Sequence, residues 1–111
     1  MKEMIYPLSI KEMNNPIENL NKTFESRVRL GIMSTLMVND KMNFNDLKEL
    51  INVTDGNLAS HIKSLEESGY IKVNKGFIGR KTNTTYAVTK NGDKAFRIHL
   101  EALEKMIKAI E

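Results

Sequence analysis

Apolar residues recur along this chain in two rhythms, and the switch between them marks its organisation. From Glu25 to Val38 they fall at Val28, Ile32, Met33, Leu36 and Met37, with Leu30 on the flank, which is the spacing of one helical face. Gly31 inside that run weakens the helix and points to close backbone packing. Asn39, Asp40 and Lys41 break the pattern, and Met42, Asn43 and Phe44 suit a short strand. Asn45 to Asn52 then sets Leu47, Leu50 and Ile51 at i, i+3 and i+4, which predicts a second helix facing the core. Val53 is an apolar turn residue, and Thr54 is a suitable N-cap because its hydroxyl can accept from the free amides of the next turn. A third helix is expected from Asp55 to Ser68, burying Leu58, Ile62 and Leu65 and stopping at Gly69. Upstream, Asn15 before Pro16 is a helix-start signal, predicting a short helix from Pro16 to about Thr23 with Ile17 and Leu20 inward. Residues 1–15 show no sustained period and are expected to form a loose arm or a strap on a partner subunit.

After Gly69 the rhythm becomes alternating. Tyr70, Lys72, Asn74 and Gly76 point one way, and Ile71, Val73, Lys75 and Phe77 the other. The β-formers Thr84 to Val88 complete a hairpin, with Ile78 to Asn83 expected as an exposed loop. Thr89 caps a last helix that runs to the C-terminus. In it Phe96, Leu100, Leu103, Ile107 and Ile110 are spaced 4, 3, 4, 3, a heptad seam, and Ala95, His99, Ala102 and Met106 broaden it. Such a stripe can pack on its own domain, but a small core cannot cover about 20 residues of helix at ~1.5 Å rise each. The expected use is a symmetric dimer seam of Phe96, His99, Leu100, Leu103, Ile107 and Ile110, in which His99 is a packed histidine rather than a pH switch.

Composition narrows the function classes. A chain of 111 residues makes one domain with a modest core. The absence of cysteine excludes disulfides, thiolate metal sites and thiol redox sensing. The start of the chain does not resemble a signal peptide and no apolar run approaches the ~20 residues of a membrane span, so a cytoplasmic protein is expected. The formal net charge of +3 permits nucleic acid as a partner without demanding it.

Charge placement says more. The two helices before and after Thr54 form a helix-turn-helix, and the polar face of the second carries Asp55, Asn57, Ser60, His61, Lys63 and Ser64. These are short hydrogen-bonding groups near a helix N-terminus, the set that reaches base edges in a DNA major groove. From Lys72 to Gly92 the basic residues Lys72, Lys75, Arg80, Lys81 and Lys90 occur with no acid among them, so the hairpin that follows is basic. Its expected contacts, from Lys72, Lys75, Arg80, Lys81 and Thr82, are phosphates or an adjacent minor groove. Catalysis finds no support. Ser60 and His61 are neighbours on a helix and diverge by about 100°, so they cannot form a nucleophile–base pair. No glycine-rich phosphate loop follows a strand.

The segments Phe24–Met33, Phe44–Leu50, Val53–Ile71 and Gly79–Thr89, with the paired patterns Gly69-Tyr70 and Thr89-Lys90-Asn91-Gly92, resemble winged helix-turn-helix transcriptional regulators of the MarR and ArsR type. The resemblance is closest to compact members made of little more than the winged helix. It implies that Thr54, Asp55, Asn57, Ser60 and His61 lie on a recognition helix and that Arg80 and Lys81 lie in the wing. Metal sensing as in some ArsR members is not expected, because cysteine is absent and His61 and His99 are the only histidines. The expected fold is α+β, mainly α: a winged helix-turn-helix over 16–89 with a two-stranded wing, and a dimerisation helix over 90–111. The expected function is a homodimeric regulator, a repressor, that binds double-stranded DNA with helix 55–68 in the major groove and wing 77–84 on the backbone or minor groove. No cofactor or metal ion is expected, and no effector ligand is identifiable. The alternatives are a protein-interaction module, favoured by Phe77 and Ile78 near the wing, and a nonspecific, chromatin-like DNA binder.

Overall fold

The order of elements follows the change of rhythm. A computed structural model describes residues 15–111, so the expected arm falls almost wholly outside the described residues. A 3₁₀ turn, Lys22–Phe24, precedes helix α1, Arg27–Met37; strand β1, Met42–Asn43, leads into α2, Phe44–Ile51, and α3, Asp55–Glu67. Strands β2, Ile71–Ile78, and β3, Lys81–Val88, form the hairpin, and α4 runs from Lys90 to Ala109. The antiparallel sheet has the order β1-β3-β2, with Met42 opposite Tyr86 and the hairpin in unbroken register from Ile71 opposite Val88 to Ile78 opposite Lys81.

Side-chain caps define where each helix begins. Ser26 Oγ accepts from Arg29 N at 3.2 Å, Asn43 Oδ1 from Asp46 N at 2.8 Å, Thr54 Oγ1 from Asn57 N at 3.2 Å, and Thr89 Oγ1 from Gly92 N at 2.9 Å. Each satisfies an amide that the first helical turn leaves free. Asn43 as a cap draws Phe44 into α2 rather than into the expected strand. Asn52 closes α2 in the left-handed region at φ 60°, which asparagine tolerates better than most residues.

Phe24, Ile32, Met33, Leu36, Leu47, Leu58, Ile62, Leu65, Ile71, Tyr86 and Phe96 form one continuous core. Every apolar position expected to face inward from α3 does so. Leu50 does not: it is 63% exposed and borders a groove between α1 and α2, because α2 is only two turns long and buries Leu47 alone. Gly31 also departs from expectation, since a Cβ there would meet only the Ile51 side chain at 3.9 Å. The expected helix over 16–23 is replaced by a turn and the 3₁₀ segment, and Ile17 is exposed. Asn15 Oδ1 accepts from Ile17 N and Asn15 O from Glu18 N, so the start signal closes a single turn. Asn21 then caps afresh, accepting from Thr23 N at 2.9 Å.

The tightest junction lies between the end of α3 and the start of α4. Gly69, at φ 80°, ends α3 in a Schellman arrangement, with Tyr70 N donating to Leu65 O and Gly69 N to Glu66 O. Thr89 N donates to Tyr70 O, and Thr89 Oγ1 to Gly69 O at 2.7 Å. Gly92 rests directly on this turn: a Cβ there would stand 2.9 Å from Tyr70 Cα and 2.8 Å from its carbonyl carbon, with the oxygen closer still. The two short motifs Gly69-Tyr70 and Thr89-Lys90-Asn91-Gly92 are therefore two sides of one contact.

Candidate nucleic-acid interface

Helix α3 sorts its residues by face. Leu58, Ile62 and Leu65 are buried, whereas Asp55, Asn57, Ser60 and Lys63 are exposed and His61 and Ser64 are half-buried. The N-terminal turn is held from two sides. Thr54 caps it, and Lys48 Nζ of α2 reaches Asp55 Oδ1 at 2.7 Å. Both groups of that ion pair are substantially exposed, so the pair orients the turn more than it stabilises it.

His61 is tied to α1, as Asp55 is to α2. Arg29 of α1 donates from Nε to Thr23 O at 2.6 Å, and its Nη1 lies 2.9 Å from His61 Nδ1. Burial lowers the His61 pKa below its ordinary value, and the neighbouring Arg29 charge lowers it further. The imidazole is therefore a neutral group at neutral pH. Sequence spacing could not have disclosed this contact, since the two residues are 32 positions apart and Arg29 lies outside the apolar stripe of α1.

The hairpin extends further than expected. Instead of a loop over 78–83, β2 continues to Ile78 and β3 begins at Lys81, joined by Gly79 and Arg80 alone. Gly79 has φ 64° and Arg80 has no positive φ, the pattern of a type II′ hairpin turn. Beyond the core the strands keep their ladder while losing their apolar alternation, which is why this stretch resembles a loop in sequence. Lys72, Lys75, Arg80, Lys81 and Thr82 are all exposed. The register places Lys75, opposite Thr84, on one face of the hairpin and Lys72, opposite Ala87, on the other, with Arg80 at the tip. Phe77 and Ile78 are exposed near the tip on opposite faces.

The C-terminal helix has two parts. Phe96 and His99, expected in a dimer seam, lie inside the protomer's own core. Phe96 packs edge-on against Phe24 with centroids 5.0 Å apart. His99 is 3% exposed, and its Nδ1 accepts from Asn21 N at 2.9 Å while Asn21 Nδ2 donates to the Tyr70 hydroxyl at 3.0 Å. Burial lowers the His99 pKa, against a smaller raising effect of Glu25. Further along, Leu103 and Met106 are half-buried, while Leu100, Ile107 and Ile110 are exposed, Ile107 by 57% and Ile110 by 86%. Among the described residues no group of three or more histidines or carboxylates could hold a metal ion, and no helix is long and apolar enough to cross a membrane.

A family model described as a winged helix DNA-binding domain matches residues 28–107. An uncharacterized protein of Methanocaldococcus jannaschii is 38% identical over 90 residues, covering 81% of this chain and 98% of the relative. Among solved structures, a transcriptional regulator homologue from Pyrococcus horikoshii is 30% identical with a TM-score of 0.76, covering 91% of this chain and 98% of that one. A MarR-family transcriptional regulator from Silicibacter pomeroyi shares the fold at 16% identity and a TM-score of 0.57, over 92% of this chain and 68% of the other.

Proposed function

The chain belongs to the winged helix DNA-binding domain family, and from that premise we propose that it is a homodimeric, sequence-specific repressor of transcription. The carrying observation is the juxtaposition of two surfaces. An exposed polar face on α3, rooted by Leu58, Ile62 and Leu65, stands beside a long hairpin that carries Lys72, Lys75, Arg80 and Lys81. Thr54, Asp55, Asn57, Ser60, His61, Lys63 and Ser64 enter the major groove, where Asn57, Ser60 and His61 choose bases. The hairpin residues Lys72, Lys75, Arg80, Lys81 and Thr82 supply affinity through phosphates, with Arg80 at the tip placed to reach an adjacent minor groove. Phosphate contacts orient the domain, and base contacts select the site.

The apolar stripe of exposed Leu100, Ile107 and Ile110 with half-buried Leu103 supports pairing of two α4 helices about a twofold axis. Such a dimer presents two α3 helices to half-sites ~34 Å apart, one turn of B-DNA, and repression follows from occupying a promoter. The protein acts in the cytoplasm, where it meets DNA directly.

The test is selection from a random-sequence duplex pool at two salt concentrations, followed by sequencing of the bound fraction. Salt-sensitive binding that enriches an inverted repeat is expected. Salt-sensitive binding without enrichment would replace this function with that of a nonspecific, chromatin-like binder. Absence of binding at low salt would favour a protein-interaction module, a role that the exposed Phe77 and Ile78 support.

A further inference from the structure

We infer that Arg29 is a positioning residue for base selection, fixing His61 as a donor-only reader of a guanine edge. This rests on the proposed DNA-binding role of α3 and deepens it. Guanidinium stays protonated in proteins and has no acceptor, so in the 2.9 Å contact between Arg29 Nη1 and His61 Nδ1 the arginine must donate. Nδ1 must then hold a lone pair, and in the neutral imidazole the proton resides on Nε2.

The arginine is itself held. Its Nε donates to Thr23 O at 2.6 Å, within the 3₁₀ turn that Asn21 caps, so the guanidinium spans α1, that turn and α3. No carboxylate pairs with Arg29 among the described residues. Nε2 of His61 has no partner there either, and no buried side-chain nitrogen or oxygen in that part of the chain is unsatisfied, so Nε2 is open to solvent. On α3 His61 stands at the border between the buried stripe and the polar face, with Asn57 at i−4 and Ser64 at i+3 as its polar neighbours.

A group that only donates selects acceptors. In the major groove guanine presents two acceptors, N7 and O6, and no donor; adenine presents one acceptor beside a donor, thymine one acceptor beside a methyl group, and cytosine only a donor, so a lone donor is best matched by guanine. A free histidine could turn its ring or exchange its tautomer to accept from the amino group of adenine or cytosine. The Arg29 contact forbids both, because Nδ1 would have to give up its donor. Protonation to a two-donor ring is also opposed, since it would set two cations against each other.

The experiment compares wild type, His61→Ala, Arg29→Met and Arg29→Lys. Two-bond proton–nitrogen correlation spectra of the free proteins at pH 7.5 report which ring nitrogen of His61 is protonated, and random-duplex selection reports base preference. In wild type Nε2 alone should carry the proton, and the position relaxed by His61→Ala should be a guanine. Arg29→Met should mix the tautomers and relax the same position alone; Arg29→Lys, which restores a donor, should recover both. On wild type, replacing that guanine with 7-deazaguanine (no N7) or 2-aminopurine (no O6) should weaken binding roughly threefold to tenfold for at least one analogue, the size of one net hydrogen bond. That measurement still decides the matter if Arg29→Met fails to fold. Preference for any base other than guanine at that position, indifference to both analogues, or an Nδ1-protonated ring would overturn the inference. Should wild type bind no duplex at all, the DNA-binding role falls with it, and the tautomer spectrum shows whether the Arg29 lock exists regardless.

Discussion

Gly92→Ala is the sharpest test of how the domain is joined to its last helix. In most helix positions this change stabilises, by roughly 0.5–1 kcal/mol, because alanine restricts the unfolded chain and favours helix. At Gly92 the added carbon would fall on the Tyr70 backbone, 2.9 Å from its Cα and 2.8 Å from its carbonyl carbon. Backbone cannot rotate aside as a side chain can, so α4 must lift away from the α3 turn. Overpacking of this kind costs about 1–3 kcal/mol or more. Lifting the helix also strains the Thr89 bonds to Tyr70 O and Gly69 O, each worth about 0.5–1.5 kcal/mol net. Set against the propensity gain, the expected net loss is about 2–4 kcal/mol. For a chain of this size that lowers the thermal midpoint by about 10–20 °C. The assay is circular dichroism melting at one fixed protein concentration, since dimerisation would make the midpoint concentration-dependent. Gly31→Ala is the matched control, because its Cβ would meet only Ile51 at 3.9 Å, and it should be neutral or stabilising. Equal effects of the two substitutions, or a stabilised Gly92→Ala, would refute the close-contact reasoning.

Other perturbations separate the remaining parts. His99 has a folded-state pKa below the ordinary 6.5, so above that pH both states are neutral and stability is full. As pH falls through 6.5 the unfolded chain takes up a proton that the folded chain resists. Urea midpoints should therefore drop below about pH 6.5 and level off at lower pH; His61 contributes in the same sense, and His99→Gln should reduce the drop. Ile107→Glu should convert a dimer to a monomer in sedimentation equilibrium while leaving the protomer's helical signal intact, because Ile107 is exposed in the single chain. An unchanged mass would remove α4 as the seam. Arg80→Ala should weaken binding to specific and random duplexes alike and lower the slope of log K against log salt by about 0.9 if it neutralises one phosphate; an unchanged slope would take the wing tip off the DNA.

What was legible in the sequence was whatever a local rule governs. The caps at Thr54 and Thr89, the stop at Gly69 and the buried triad Leu58, Ile62 and Leu65 follow from spacing and from the chemistry of free helix ends. Failures occurred where a local signal has two structural outcomes. Asn15-Pro16 can open a helix or close one turn, and the competing cap at Asn21 decided for the turn. The outer hairpin has no core beneath it, so its strands lose the alternation that identifies strands, and Gly79 alone betrayed the two-residue turn. A heptad stripe records which face of α4 is apolar but not who covers it; Phe96 and His99 turned out to face Phe24 and Asn21 of the same chain. At the interface, Arg29 was invisible because its meaning lies in a contact that only the packing of α1 against α3 creates.

The absence of slack between α3 and α4 has a mechanical consequence. With Thr89 bonded to both residues of the α3 turn and Gly92 seated on it, the chain has no hinge at that junction. The 20-residue helix is then a lever about 30 Å long, rigidly fixed at one end to the hairpin and α3. In the proposed dimer, a tilt of a few degrees where two such helices cross would swing each α3 through ångströms, so the crossing angle would tune the spacing of the DNA half-sites.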